Sequence, residues 1–115
     1  MKLISCLVAL GLTSCAYITP RGGSPYFTFH SSQTLGDASG CVVRTLNSEM
    51  QPRITHAIQV TDPGRAVEVI PQQTLVIGGE VYYVRVTSSG HGSDVQLYSV
   101  ATWSKRLANA ISGCR

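Results

Sequence analysis

Residues 3–12 (LISCLVALGL) form an uncharged apolar run, preceded only by Met1 and Lys2 and stopped by Thr13-Ser14-Cys15. Its ten residues fall within the roughly 7–15 of a signal-peptide hydrophobic region. A membrane-spanning helix needs about 20. The polar and breaking residues Tyr17, Thr19, Pro20 and Arg21 follow at once, so the run reads as an export signal and not as a span. This limits the folded part of the chain to what comes after it, and places that part in an oxidising compartment where cysteines pair.

The junction itself, Leu12-Thr13-Ser14-Cys15, resembles the lipobox of bacterial lipoproteins: an aliphatic residue, two small residues and a cysteine closing the hydrophobic region. The resemblance implies diacylglyceryl transfer to the Cys15 thiol, cleavage before Cys15, and a mature N-terminus carrying palmitate in the membrane. Small Thr13 and Ser14 admit a protease at the membrane surface, and the thiol is the nucleophile that takes the lipid. Cys6 also follows Leu-Ile-Ser, but too few residues precede it to form a hydrophobic region. Ala16 is not the aspartate that retains such proteins in the inner membrane, so the resemblance implies the outer membrane, facing the periplasm. The competing reading is ordinary signal-peptidase cleavage after Ala16, with small residues at Ser14 and Ala16, which leaves a soluble periplasmic protein.

Removing the leader changes the composition. The nine basic side chains become eight once Lys2 is gone, against six acidic ones, a balance of +2. These charges are scattered singly, and without a Lys/Arg run nucleic-acid binding is not expected. Charged residues are 13% of the chain, about half the usual share of roughly 25%, while 43% is apolar, which describes a globular chain and not a disordered one. The sequence thus divides into a signal peptide, 1–14; an acylated Cys15 with a Pro- and Gly-rich tether, 15–25; and a small domain, 26–115. The tether's ten residues after Cys15 reach at most about 33 Å. Four cysteines reduce to one unassigned pair, Cys41 and Cys114. In the periplasm that pair reads as a disulfide. A zinc site is the alternative, although no histidine stands near either cysteine at ligand spacing.

Within the domain, Tyr26–His30 alternates as a first strand. Thr34 with Asp37 three residues on resembles a capping box, and Ala38, Cys41, Val42, Thr45, Leu46 and Glu49 then recur at helical spacing until Pro52. From Ile54 the period becomes two: Ile54, His56, Ile58 and Val60 share a face. Asp62-Pro63-Gly64-Arg65 is a turn, and Ala66–Ile70 returns from it. Thr74–Ile77 is either a short edge strand or a loop. Glu80–Thr87 and Asp94–Val100 form a hairpin across the loop Ser88–Ser93. Trp103, Leu107, Ala110, Ile111 and Cys114 make an apolar helical stripe with Thr102 as N-cap. The expected fold is α+β, an antiparallel sheet of four to five strands with two helices on one face in the order β-α-β-β-β-β-α, tied by one disulfide. That element order is similar to helix-grip and other helix-on-sheet periplasmic modules.

Little in the sequence points to catalysis. His30, His56 and His91 are isolated, with no metal-ligand spacing. Gly90-His91-Gly92-Ser93-Asp94 holds His, Ser and Asp, but neighbours on a turn point apart and no nucleophile elbow is present. His56 reads as a hydrogen-bonded core or edge residue, and His91 as an exposed loop tip. No cofactor or metal is expected, and the chain is not read as an enzyme. The expected function is a membrane-anchored envelope lipoprotein with a protein-binding or assembly domain that uses a sheet face or edge. Tyr82, Tyr83 and Tyr98 supply aromatic area for contact, or else for the core. The alternative is a periplasmic small-ligand carrier or a hydrolase-inhibitor domain.

Overall fold

A computed structural model describes residues 23–50, 54–72, 82–99 and 104–115. The lipobox and Cys15, Pro52, the Thr74–Ile77 segment, Thr102 and Trp103 lie outside the described residues. Among the described residues no helix is long and apolar enough to cross a membrane.

Strand β1 (Phe27–Ser31) leads into helix α1 (Leu35–Glu49), followed by strands β2 (His56–Asp62), β3 (Ala66–Pro71), β4 (Tyr82–Ser89) and β5 (Gly92–Ser99). Helix α2 (Ser104–Ile111) and a 3-10 turn (Ser112–Cys114) follow β5. The five strands form one antiparallel sheet in the order β1-β5-β4-β3-β2. Strands β2 to β5 are a meander, and β1 closes on the last strand, so among the described residues β1 and β2 are the two edges.

Local chemistry accounts for each element. The Thr34 side chain accepts from the Asp37 backbone N–H at 3.2 Å, capping α1 as the sequence predicts. Arg65 N–H donates to Asp62 O at 2.8 Å. With Pro63 in the second position and Gly64 in the third at φ +77°, this meets the demands of a type II turn. The second hairpin is tighter than the sequence suggests. Strand pairing runs to Ser89 and Gly92, leaving Gly90-His91 as the loop, because Gly90 takes φ +62° and allows a two-residue connection. A Cβ at Gly92 would collide with the Ser31 carbonyl oxygen, so glycine is required where β5 meets the end of β1.

The core lies between the helices and one sheet face. Val69, Val84, Val86, Val95 and Leu97 of the sheet meet Ala38, Val42 and Leu46 of α1 and Leu107 and Ile111 of α2, all at 0% exposure. On α2 the partly shielded residue is Ala110, while Ala108 is buried at 7% exposure. The helix ends at Ile111, and the narrower 3-10 turn brings Cys114 round to α1.

Cys41 and Cys114 form a disulfide, with Cα atoms 5.8 Å apart and a sequence separation of 73. The C-terminal turn is also bonded to β1: the Cys114 carbonyl accepts from Ser31 Oγ at 2.9 Å and from Gln33 Nε2 at 3.1 Å. Arg106 joins the two helices a second time, through Glu49 Oε2 at 2.9 Å and the Glu49 carbonyl at 2.6 Å. Closing a loop of this length stabilises the fold by about 4 kcal/mol in the chain-entropy account. Replacing both Cys41 and Cys114 by alanine should therefore lower the unfolding free energy by about 4 kcal/mol, read from urea titration. A loss below 1 kcal/mol would show that the bond is not the clamp described here.

Candidate functional site: the β2 edge and the outer sheet face

Residues paired across an antiparallel sheet share a face, which sorts the nominated side chains. Tyr82 lies on the helix side and Tyr83 and Tyr98 on the outer side, where they are direct partners. Tyr82 is 1% exposed and Tyr83 2%; Tyr98 is half-buried. Tyr83 and Tyr98 stack, with ring centroids 4.7 Å apart and planes 9° apart. The aromatic area nominated from sequence is thus largely turned into the protein. Tyr26, at the start of β1, is 51% exposed.

Tyr82 belongs to a buried polar network. His56 Nδ1 lies 2.9 Å from Asn47 Oδ1, an oxygen that can only accept, so Nδ1 carries the proton. Nε2 is then the acceptor, and the Tyr82 hydroxyl donates to it at 2.7 Å. Asn47 Oδ1 also accepts from the His56 backbone N–H at 2.8 Å. Burial pushes the imidazole down from 6.5 to about 4 and the Tyr82 phenol up to about 12. Neither group therefore changes charge near neutral pH, and the network is a fastener holding β2 to α1 and β4.

The outer face is polar beyond its tyrosines. Arg85 Nη2 donates to Glu68 Oε2 at 2.8 Å, and the carboxylate side chain is 3% accessible against 39% for the arginine. The hydrogen bond to Glu68 raises the Arg85 guanidinium further above its usual range. His30 Nδ1 is 2.9 Å from Asp94 Oδ1 at the surface. These two residues, with Thr28, Phe29 and Gln96, line an open cavity of about 290 Å³. His91 is exposed at the hairpin tip. The three histidines thus occupy separate places, and among the described residues no group of three His, Cys, Asp or Glu is placed to hold a metal ion.

The feature that the sequence does not reveal is the β2 edge. Ile58 and Val60 are on the core face of the sheet, paired with buried Val69 and Val67, yet they are 45% and 58% exposed. The helices cover β2 only at His56. The backbone of β2 is open along the same stretch. Gln72 N–H donates to Thr55 O, and Ser88 N–H donates to Arg65 O, which fixes the alternation of the ladders. Ala57 and Gln59 point their backbone groups at β3, whereas His56, Ile58 and Val60 point theirs outwards. The outward N–H of His56 is taken by Asn47. Those of Ile58 and Val60, with their carbonyls, make no hydrogen bond to any other described residue. A register shift between Val60 and Asp62 closes the open stretch at its far end.

Compared with protein-family models, with curated proteins and with solved structures, the chain matches none.

The depressed His56 value sets a pH dependence. A folded value below the unfolded one means that the native state binds fewer protons, so this contribution is complete above pH 6.5 and is lost as pH falls towards 4. The loss should reach about 3 kcal/mol. Urea titrations at pH 7 and pH 4 should show wild type losing about that much more than His56→Gln. Equal losses in the two proteins would contradict the neutral, buried imidazole.

Proposed function

We propose that this chain is a lipid-anchored envelope lipoprotein whose small non-enzymatic domain binds protein by adding a strand to the β2 edge. The observation that carries the reading is the open stretch at Ile58 and Val60, where exposed apolar side chains and outward backbone groups coincide. Main-chain hydrogen bonds supply affinity in this mode, and alternate side chains supply specificity. Proteins ordinarily blunt such edges with lysine, proline or a bulge. Here the stretch holds neither lysine nor proline, and the register shift lies at its end.

The anchor supports the same reading from the other end of the chain. The apolar run and Leu12-Thr13-Ser14-Cys15 favour acylation at Cys15 and residence in the outer membrane, with the tether of residues 15–25 holding the domain clear of the surface. A carrier reading finds less support: the described core side chains between helices and sheet, Val42, Leu46, Val84 and Leu107 among them, are at 0% exposure, and the cavity beside His30 and Asp94 is open on the outer face.

Two experiments test the proposal. Purified from envelopes in mild detergent, the full chain should bring down a stoichiometric protein partner. Ile58→Lys should reduce that capture at least tenfold while leaving the Cys41–Cys114 bond intact. Capture unchanged by Ile58→Lys would move the contact off β2, and a bound small molecule in place of a protein would favour the carrier. For the anchor, Cys15→Ala should accumulate as uncleaved precursor. Normal maturation and release into the soluble fraction would refute acylation.

A further inference from the structure

The proposal above names an edge and a class of partner; the geometry of the edge narrows the partner further. The usable stretch is short and bounded on both sides. Asn47 occupies the outward N–H of His56 at one end, and the ladder is displaced between Val60 and Asp62 at the other. Between them the outward-pointing residues are Ile58 and Val60, two positions apart with inward-pointing Gln59 at the centre.

We infer that the occupant of this edge is a second copy of the same chain, paired antiparallel to β2 about a two-fold axis through Gln59. In an antiparallel ladder, outward residues must meet outward residues. Centring on Gln59 places Ile58 of each copy opposite Val60 of the other, and each of these two pairs exchanges both backbone hydrogen bonds. Shifting the centre to Ile58 sets Val60 against the His56 N–H that Asn47 already holds, and shifting it to Val60 runs Ile58 into the displaced ladder. The centred register alone uses all the open groups of both copies.

The side chains agree with it. Paired residues share a face, so the four exposed apolar side chains, Ile58 and Val60 from each copy, form one continuous patch extending the cores of both domains. On the other face Gln59 meets Gln59 of the second copy, where two neutral amides can donate and accept to each other. The strand's own charged residue, Asp62, lies at opposite ends of the seam in the two copies, roughly 20 Å apart at about 3.3 Å per residue, so like charges do not face each other. The axis is perpendicular to the sheet, giving a ten-stranded sheet with the helices of both copies on one side. Such an isologous contact closes on itself and does not propagate.

The contact is small, below the ~1,200 Å² of a stable soluble complex, so it is populated where copies share a membrane plane. The inference therefore rests on the anchored, edge-binding reading. It is tested by Gln59→Cys in the full chain, exported with its own leader in a Gram-negative host. Gln59 and its symmetry partner form a non-hydrogen-bonded pair, the spacing at which two cysteines oxidise readily, with Cα atoms about 4.5 Å apart. A disulfide-linked dimer should form on non-reducing gels, joined through residue 59 by mass spectrometry. It should exceed at least tenfold that of Thr61→Cys, whose two copies stand well apart in this register, and should vanish when Ile58→Lys is added. Absence of the 59–59 bond, with Cys41–Cys114 intact and the protein at wild-type level, overturns the inference. Equal cross-linking by Thr61→Cys, or cross-linking that survives Ile58→Lys, is collisional and overturns it also. If no 59–59 bond forms while Ile58→Lys still abolishes capture of a different protein, the edge-binding reading stands and the self-pairing falls.

Discussion

The Cys41–Cys114 bond is the constraint on which the rest of the domain leans. It fixes the end of the chain against α1, and the carbonyl of the same Cys114 receives Ser31 Oγ and Gln33 Nε2 from the strand and loop that precede that helix. One residue thus joins β1, α1 and the C-terminal turn. Small domains bury too little apolar surface to be secure without such a staple, and this one spends its cysteine pair across 73 residues, where the chain-entropy effect is large. With both helices held on one sheet face, the end of β1 is fastened to the C-terminal turn through Ser31.

The β2 side is fastened differently and less completely. Asn47 and Tyr82 grip His56, so α1 and β4 together hold the first residue of β2. Each partner is satisfied in the neutral state, which suits a buried network whose members would be costly to leave unpaired. Past His56 nothing in the two helices continues over the strand. Ile58 and Val60 keep the alternation of a core-facing strand after the core has ended. That mismatch between pattern and cover gives the edge its chemistry: a strand built to be covered on one face, with the outward backbone groups of Ile58 and Val60 unpaired among the described residues.

Much of the frame was legible in the sequence because it is set by local rules. Thr34 before an apolar helical stripe, Pro63-Gly64 in a turn, and the two cysteines that the lipobox reading leaves unassigned each carry their own physics, and the α+β order and the disulfide followed. The tyrosines were not legible in the same way. Alternation separates Tyr82 from Tyr83, but only the strand pairing shows Tyr83 beside Tyr98, and only the folded structure shows Tyr82 and Tyr83 at 1% and 2% exposure. The hairpin loop was overestimated because Ser88, Ser89 and Ser93 read as turn residues, whereas the ladder carries them and Gly90 supplies positive φ in the loop. The β2 edge was hidden for a deeper reason: Ile58 and Val60 look like core, and only the strand order, with β1 beside β5 and β2 outermost, exposes them.

The central claim is that the backbone of Ile58 and Val60 is an open docking ladder while that of Gln59 is not. Residue-resolved amide hydrogen exchange on the full chain, dilute in detergent and then crowded in vesicles, reads this directly. Gln59 should be protected in both states, whereas Ile58 and Val60 should exchange freely when dilute and slow at least tenfold when crowded. Ile58 and Val60 amides that are already protected when dilute, or that stay equally fast when crowded, would contradict the account.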